Sequence, residues 1–329
     1  MTVIDKWFSS PHSDEDKQRS IAGLKFLVTE SATHSAVAEQ VLRVSAEILL
    51  SYDADINAVS SQDIHSVLYA SSALHRQDFL VLALLLCLCE TQYYPQRLSL
   101  LLEYWGEHFQ VMDNIPIAIK AIIDNDVELI KQPEVMGEGY QNKQSRENAI
   151  ATLGVDVYNR HMDSMQKGIE DPELKMKFAF INDLTINTVG GQLREILHAA
   201  NLSLPGEAFG FSEYFIWHDS AHILSGNSTN YAGELGANVF TAASSNRSRF
   251  EILIWGLLQF NLGFDLAVVA TPSKDNFKKN SVVAQYCYSL LSGANTTLDI
   301  LNWPIDVMIE DLKMDLTEVR EKYNIIVNF

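Results

Sequence analysis

Apolar residues recur every three or four positions along most of the 329-residue chain, and the strict alternation typical of half-buried strands is rare. A spacing of three to four positions matches the α-helical repeat of about 3.6 residues. Only eight prolines interrupt the pattern. The pattern therefore predicts an all-α protein built as a multi-helix bundle.

The first part of the chain predicts five helices joined by short connections. We expect them to begin near Ser13 and then to cover residues 34–52, 61–73, 78–90 and 95–109. Loop-forming residues at 113–116 predict a boundary, so we divide the chain into an N-terminal helical bundle, 1–112, and a second helical domain, 113–329. Histidines in the first domain are scattered without ligand spacing, which favours a structural or partner-binding role.

The second part predicts further helices, one long loop and one long apolar stretch. Helices are expected at residues 117–131, 146–168, 172–180, 186–201 and 280–292. Two more are expected near the end, one capped by Asn302 and the last capped by Asp315. Residues 132–146 are polar and contain glycine and proline, which predicts an exposed loop or lid. Residues 250–270 are apolar apart from a few polar positions, and we interpret them as one long core helix.

Metal-ligand side chains gather in the stretch from Trp217 to His222, with Glu234 after it. His218 and His222 lie four residues apart, so on a helix both imidazoles point to one face about 6 Å apart. A lone His-Asp pair is more typical of a core histidine, but the second histidine and the glutamate favour a metal site. We therefore predict that His218, Asp219, His222 and Glu234 bind one divalent metal.

These four residues are expected to meet on a helical hairpin. Gly226 suits the left-handed position that ends a helix, and Ser228 or Thr229 can cap the next one. Small residues around Glu234 allow the second helix to approach the first closely. Aromatic residues between 211 and 215 fall on the side of the histidines, which predicts that this face is buried.

Nitrogen and oxygen ligands suit Zn²⁺, Fe²⁺ or Mn²⁺, of which we expect Zn²⁺, and they leave positions open for a substrate carboxylate or phenolate. Asp219 has three roles open to it: metal ligand, orienting partner of an imidazole, or general base. We treat Asp219 as the candidate catalytic residue.

The motif consists of His218-Asp219, two further residues, His222, and Glu234 after a spacer of eleven residues that ends in glycine. It resembles the signature of the ubiquinone-biosynthesis family known as coenzyme Q biosynthesis protein four. Further residues that resemble the family follow in the same order: Gly293-Ala294, Asn302-Trp303-Pro304, Leu316 to Arg320, and Tyr323 to Ile325. The two stretches cover roughly residues 205–329. The aspartate- and arginine-rich segment that the family carries upstream of the motif is not visible in the sequence, so the chain resembles a divergent member.

The resemblance implies a metal-dependent enzyme that removes the carboxylate of a prenylated aromatic acid and hydroxylates the same carbon, within a membrane-bound quinone-biosynthesis complex. Residues 250–270 would then line a tunnel for the prenyl tail. The expected partners are this prenylated aromatic or isoprenoid lipid, the complex, and a second copy of the chain in a homodimer.

Two other function classes remain open. The first is a metal phosphohydrolase of the His-Asp type, which needs a further histidine and a distant aspartate. His198, with Asp265 or Asp299, has the required side chains. The second is a non-catalytic prenyl-lipid-binding scaffold in which the metal only joins the two helices of the hairpin.

Charge and composition restrict the kinds of molecule that the protein can bind and where it is expected in the cell. A net charge of −18 without a basic stripe excludes a nucleic-acid partner, because phosphates would be repelled. Lys274, Lys278 and Lys279 form a local exception, interpreted as a solvated loop or a contact with an anionic head group. Three cysteines, no signal-peptide pattern and no apolar run long enough to span a bilayer predict a cytoplasmic protein, either free or peripheral to the inner face of the membrane.

Overall fold

A computed structural model describes the chain at residues 6–30, 35–105, 115–132, 135, 147, 150–151, 154–210, 213–246, 249–266 and 270–327. These residues form α-helices and short 3₁₀ turns, and within them no β-strand occurs, only three isolated bridges. The predicted all-α, multi-helix fold is confirmed.

The N-terminal part contains the five predicted helices. They are α1 Asp14–Glu30, α2 Ala36–Leu49, α3 Ile64–Ala70, α4 Ala73–Cys87 and α5 Tyr94–Trp105. The helix α4 is the apolar centre, since every residue from Phe79 to Cys89 is buried. Its three-turn apolar run predicted a start at Asp78, but Ser72 accepts a hydrogen bond from the His75 N–H and begins the helix at Ala73.

The helix predicted at 117–131 is wrong in detail, because the structure has two helices there. These are α6 Ile115–Ile123 and α7 Val127–Ile130. Asn125 between them takes a φ of 52°, in the left-handed region, and the Asp126 side chain caps α7. Residues 133–134 and 136–146, most of the predicted loop or lid, lie outside the described residues.

The next three helices lead to the motif. They are α8 Val155–Lys167, α9 Pro172–Phe178 and α10 Val189–Ala199. Gly154 and Gly168, with φ of 84° and 67°, bound α8, and Asp171 caps α9. Residues 147, 150 and 151 are also helical, so the single helix predicted over 146–168 is wrong in detail, because Gly154 interrupts it.

The C-terminal part is organised around one central helix. Its helices are α11 Ile216–Ser225, α12 Tyr231–Ser244, α13 Arg249–Phe260, α14 Asn280–Asn295, α15 Ile305–Leu312 and α16 Leu316–Lys322. The helix α12 is buried from Leu235 to Ser244 and packs against α11, α13 and α14. Because α14 also packs against α2, helix packing crosses the boundary predicted near residue 112. The two-domain division stays a prediction.

The single long helix predicted at 250–270 is wrong, because α13 ends at Phe260. The buried side chain of Gln259 donates to the Ala270 carbonyl and accepts from the Leu266 N–H, both at 2.8 Å. Asn261 likewise accepts from the Phe277 N–H. These polar side chains hold the following loop, and residues 267–269 lie outside the described part.

Near the C-terminus the predicted caps have different outcomes. Asp315 accepts from the Thr317 N–H at 2.8 Å and caps α16 as predicted. Asn302 does not cap α15; its amide donates to Asp299, and Pro304 stands at the cap position without a side-chain hydrogen bond. Over the described part of the chain, none of the helices has the length and apolarity needed to cross a membrane.

Candidate metal centre

The helices α11 and α12 form the predicted hairpin. Gly226, with a φ of 77°, ends α11, and its N–H bonds to the last carbonyls of that helix. The cap of α12 is Asn230, whose side-chain oxygen accepts from the Gly233 N–H at 3.0 Å. The prediction of Ser228 or Thr229 as this cap is wrong, since the turn extends far enough for the following residue to take the position.

Three of the four predicted ligands meet between these helices. Glu234 Oε2 lies 3.6 Å from His218 Nε2 and 3.4 Å from His222 Nε2. One ligand atom from each residue lies within 4.8 Å of the others. Donor atoms that share a tetrahedral ion at about 2.1 Å are about 3.4 Å apart, so small side-chain rotations bring these three onto one ion. The group can hold a metal.

The group is closed on one side and open on the other. The His222 side chain is 1% exposed, whereas Glu234 is 18% and His218 35% exposed. His222 therefore forms the floor of the site, and His218 stands at its mouth. A small molecule would approach from the side of His218.

A backbone carbonyl fixes the ring of His222. Its Nδ1 lies 2.9 Å from the Ser228 carbonyl oxygen. Because a carbonyl can only accept a hydrogen bond, Nδ1 carries the proton in this contact. In the neutral ring Nε2 then has a free lone pair, and it faces Glu234. Metal-binding histidines commonly donate their second nitrogen to a carbonyl in this way.

His222 and Glu234 shift each other's pKa in opposite directions. Burial alone would lower the pKa of His222, but the Glu234 and Asp219 carboxylates and the Ser228 carbonyl raise it. Burial would raise the pKa of Glu234, but His222 and His218 lower it. Both histidines thus favour the ionised carboxylate, the form that binds a cation.

Asp219 is not a member of this three-residue group. It is buried on α11, and its Oδ2 makes no hydrogen bond to any residue that the structure describes. Burial raises the pKa of Asp219, although His218 and His222 oppose the rise. The aspartate lies close enough to the site to interact electrostatically with all three residues. Its roles as ligand and catalytic residue stay predictions.

The residues considered for a phosphohydrolase do not join the group. His198 and Asp265 are exposed, and Asp299 accepts from the Asn246 and Asn302 side chains. Of the aromatic residues predicted to bury the motif face, Phe215 is half-buried. Residue 211 and the side chain of Tyr214 lie outside the described part.

Two supports of the site were missed by sequence reasoning. One is the Ser228 carbonyl, a backbone group for which no side-chain pattern gives a signal. The other is Arg320, which donates from Nε to the Leu224 carbonyl at 2.9 Å and from Nη2 to the Ile223 carbonyl at 2.8 Å. Its position in the stretch that resembles the family's C-terminal segment is the signal that could have pointed to it.

Comparison of the chain with protein-family models, curated proteins and solved structures finds no match. The resemblance to the ubiquinone-biosynthesis family rests on the motif residues and stays a prediction.

Proposed function

We propose that the protein is a metal-dependent enzyme whose centre is held by His218, His222 and Glu234. The observation that carries the proposal is the meeting of two imidazoles and one carboxylate at a site with a buried floor and an open mouth. Two histidines and one carboxylate suit catalytic Zn²⁺ as well as non-haem Fe²⁺ or Mn²⁺, and such centres keep positions for a substrate. Zn²⁺ is the first expectation for binding, but Zn²⁺ has no redox chemistry. A reaction with dioxygen would therefore need Fe²⁺ or Mn²⁺ in the same ligands.

The substrate class proposed is an aromatic acid with a phenol group, carrying a prenyl tail. A carboxylate or phenolate is a suitable ligand for an open position on these cations, and the motif resemblance supports a ring from quinone biosynthesis. The ring carboxylate would leave as carbon dioxide and a hydroxyl group from water would replace it. Dioxygen would accept the two electrons and two protons released and leave as hydrogen peroxide. In this proposal the buried Asp219 carboxylate accepts a hydrogen bond from the phenol or from water at the site.

Metal content tests the centre. The purified parent is expected to hold one divalent ion per chain, and His222→Ala is expected to lose most of it while its helical circular dichroism signal stays intact. His198→Ala is the matched control, because His198 is an exposed histidine outside the group. Equal metal content in the parent and in His222→Ala would place the ion elsewhere.

Turnover separates the enzyme from a binding scaffold. The expected result is release of carbon dioxide from a 4-hydroxybenzoate-type acid that requires both dioxygen and the metal. Head-group analogues with none, one and two isoprene units test the tail, because each buried methylene contributes about 0.8 kcal/mol to binding. Metal-dependent binding without turnover would favour the lipid-binding scaffold. An affinity that does not change with tail length would show that only the ring is bound.

The route that we propose for the tail differs from the one along residues 250–270 that the sequence predicts. Most residues of α13, from Phe250 to Phe260, are buried in the protein core. This burial supports the interpretation of α13 as a core helix, and a tail that leaves the mouth near His218 is the arrangement we propose.

A further inference from the structure

The glycine before the third ligand has a contact that sets it apart. Gly233 lies in the first turn of α12, and a Cβ atom built on it would lie 1.7 Å from the Ser228 carbonyl oxygen and 2.5 Å from the Ser228 carbonyl carbon. Both atoms belong to the backbone of the tight turn, so they cannot move aside as the end of a flexible side chain can. Any residue with a Cβ at position 233 must displace this carbonyl.

The same carbonyl oxygen is the partner of His222. It accepts the hydrogen bond from His222 Nδ1 at 2.9 Å, and the turn that carries it is held by the Asn227 N–H on the His222 carbonyl and by the Gly233 N–H on Asn230. The Ser228 carbonyl is therefore wedged between a histidine ring on one helix and a glycine on the other.

We propose that Gly233 is a positioning residue of the metal centre: its missing side chain lets the Ser228 carbonyl hold His222 with Nδ1 protonated and Nε2 presented to the metal. The inference rests on the proposed metal centre. Gly233 and Glu234 then have different roles. Glu234 binds the ion, and Gly233 leaves room for the Ser228 carbonyl, which orients His222. Loss of such an orienting hydrogen bond typically lowers metal affinity about 10- to 100-fold.

The test compares two glycine substitutions in the full chain. Gly233→Ala is expected to weaken Zn²⁺ binding about 10- to 100-fold in a chelator competition titration. Gly293→Ala is the matched control, since its Cβ would lie 2.4 Å from the Phe240 carbonyl oxygen of α12, a backbone collision beyond the site. The control is expected to lower the melting temperature while changing the Zn²⁺ dissociation constant less than threefold.

A spectroscopic readout separates orientation from general damage. Nitrogen-15 chemical shifts of the His222 ring, assigned by loss of the signal in His222→Gln, are expected to show protonated Nδ1 in the metal-free parent and a mixture of tautomers in Gly233→Ala. If Gly233→Ala does not fold, the pair Asn230→Ala and Asn230→Asp replaces it, because only the aspartate keeps a cap acceptor for the Gly233 N–H. The alanine variant is then expected to lose affinity, and the aspartate variant to retain it.

The outcomes are distinct. A parent that binds no divalent metal overturns the proposed centre and this inference together. A parent that binds Zn²⁺ while Gly233→Ala binds it equally well overturns the role of Gly233 and leaves the centre standing. Equal losses in Gly233→Ala and Gly293→Ala, or a His222 ring whose Nδ1 carries no proton in the metal-free parent, also overturn it.

Discussion

His222 and Asp219 are buried three residues apart on α11, yet their surroundings differ. His222 has a carbonyl on one ring nitrogen and the Glu234 carboxylate near the other. Asp219 has a carboxylate oxygen without a hydrogen bond to any described residue. An unpaired buried carboxylate oxygen is costly, so a group that supplies a proton or a positive charge to Asp219 would stabilise the folded protein.

The first prediction uses this difference. Asp219→Asn removes the charge but keeps the shape, and we expect it to retain one metal per chain with affinity within about tenfold of the parent, because the three-residue group remains. Turnover is expected to fall at least 100-fold, the scale of general acid–base assistance. Metal analysis and a carbon dioxide assay measure the two effects. Loss of metal equal to that of His222→Ala would make Asp219 a ligand.

Glu213 provides a pH-dependent prediction outside the site. It is fully buried, with Oε1 3.2 Å from His161 Nδ1 and Oε2 2.7 Å from Lys177 Nζ. Burial would raise the pKa of Glu213, but His161 and Lys177 lower it below its ordinary value of 4.5. A carboxyl with a lowered folded-state pKa contributes stability above its unfolded pKa and loses that contribution as the pH falls through the folded value.

We therefore expect the free energy of unfolding to fall as the pH drops below about 4.5, and to fall less steeply in Glu213→Gln. At pH 7 the substitution should cost about 1.5–3 kcal/mol, since it weakens a charge-assisted hydrogen bond to Lys177. Urea unfolding of both proteins from pH 3 to pH 7 measures this. Parallel pH curves for the two proteins would contradict the prediction.

Arg320 on α16, the last described helix, connects that helix to the end of α11. Its guanidinium donates to the Ile223 and Leu224 carbonyls in the last turn of α11, and its charge complements the negative end of that helix. Arg320→Ala is expected to lower stability by about 1.5–3 kcal/mol. Arg320→Lys should recover only part of this, because an ammonium cannot reproduce the two-pronged contact.

Thermal unfolding measures the Arg320 series, and Arg194→Ala supplies a comparison with an arginine that also donates to several carbonyls but lies on α10. Zinc affinity should fall in the Arg320 variants and stay unchanged in Arg194→Ala. An Arg320→Ala variant with the parent's melting temperature would show that the carbonyl contacts add nothing.

The spacing of apolar residues predicted the order of the helices well, because each helix must bury an apolar face, whatever its exact ends. It predicted the ends poorly, because single residues decide them. Asn125 takes a left-handed conformation that splits one predicted helix, and Gln259 uses its side chain to hold a loop where the apolar pattern continues. Neither effect is visible in a repeat of three to four residues.

The site was predicted in part for the same physical reason. Helical spacing predicts that His218 and His222 share a face, and the small residues of the returning helix predict that Glu234 can reach them. The Ser228 carbonyl could not be predicted, since its position depends on where the turn ends, and the cap that ends it is Asn230. Spacing also does not decide on which side of α11 the Asp219 carboxylate lies.

For the whole molecule, the question is whether residues 1–112 and 113–329 unfold separately. The fully buried Asn261 donates to the Leu88 carbonyl at 2.8 Å, and Gln40 donates to the Phe277 carbonyl at 3.1 Å. These contacts, with the packing of α2 on α14, join both sides of the predicted boundary. Extensive packing between two parts makes them unfold as one cooperative unit.

We therefore expect a single calorimetric transition whose calorimetric and van't Hoff enthalpies agree. Asn261→Ala leaves the buried Leu88 carbonyl and Phe277 N–H unpaired. It should lower the free energy of unfolding of the whole protein by about 1–3 kcal/mol for each unpaired group. Two separable transitions, with only one moved by Asn261→Ala, would instead support two domains.

The nearness of the three metal ligands in sequence has a consequence for folding. All three lie within residues 218–234, so bringing them together closes only a short loop, and the entropy cost of that closure is small. An unfolded chain can therefore capture the same cation weakly through this segment. By mass action, binding to both states stabilises the native fold by less than the native affinity alone would give. The ion would also be in place early, as a local nucleus around which α11 and α12 fold.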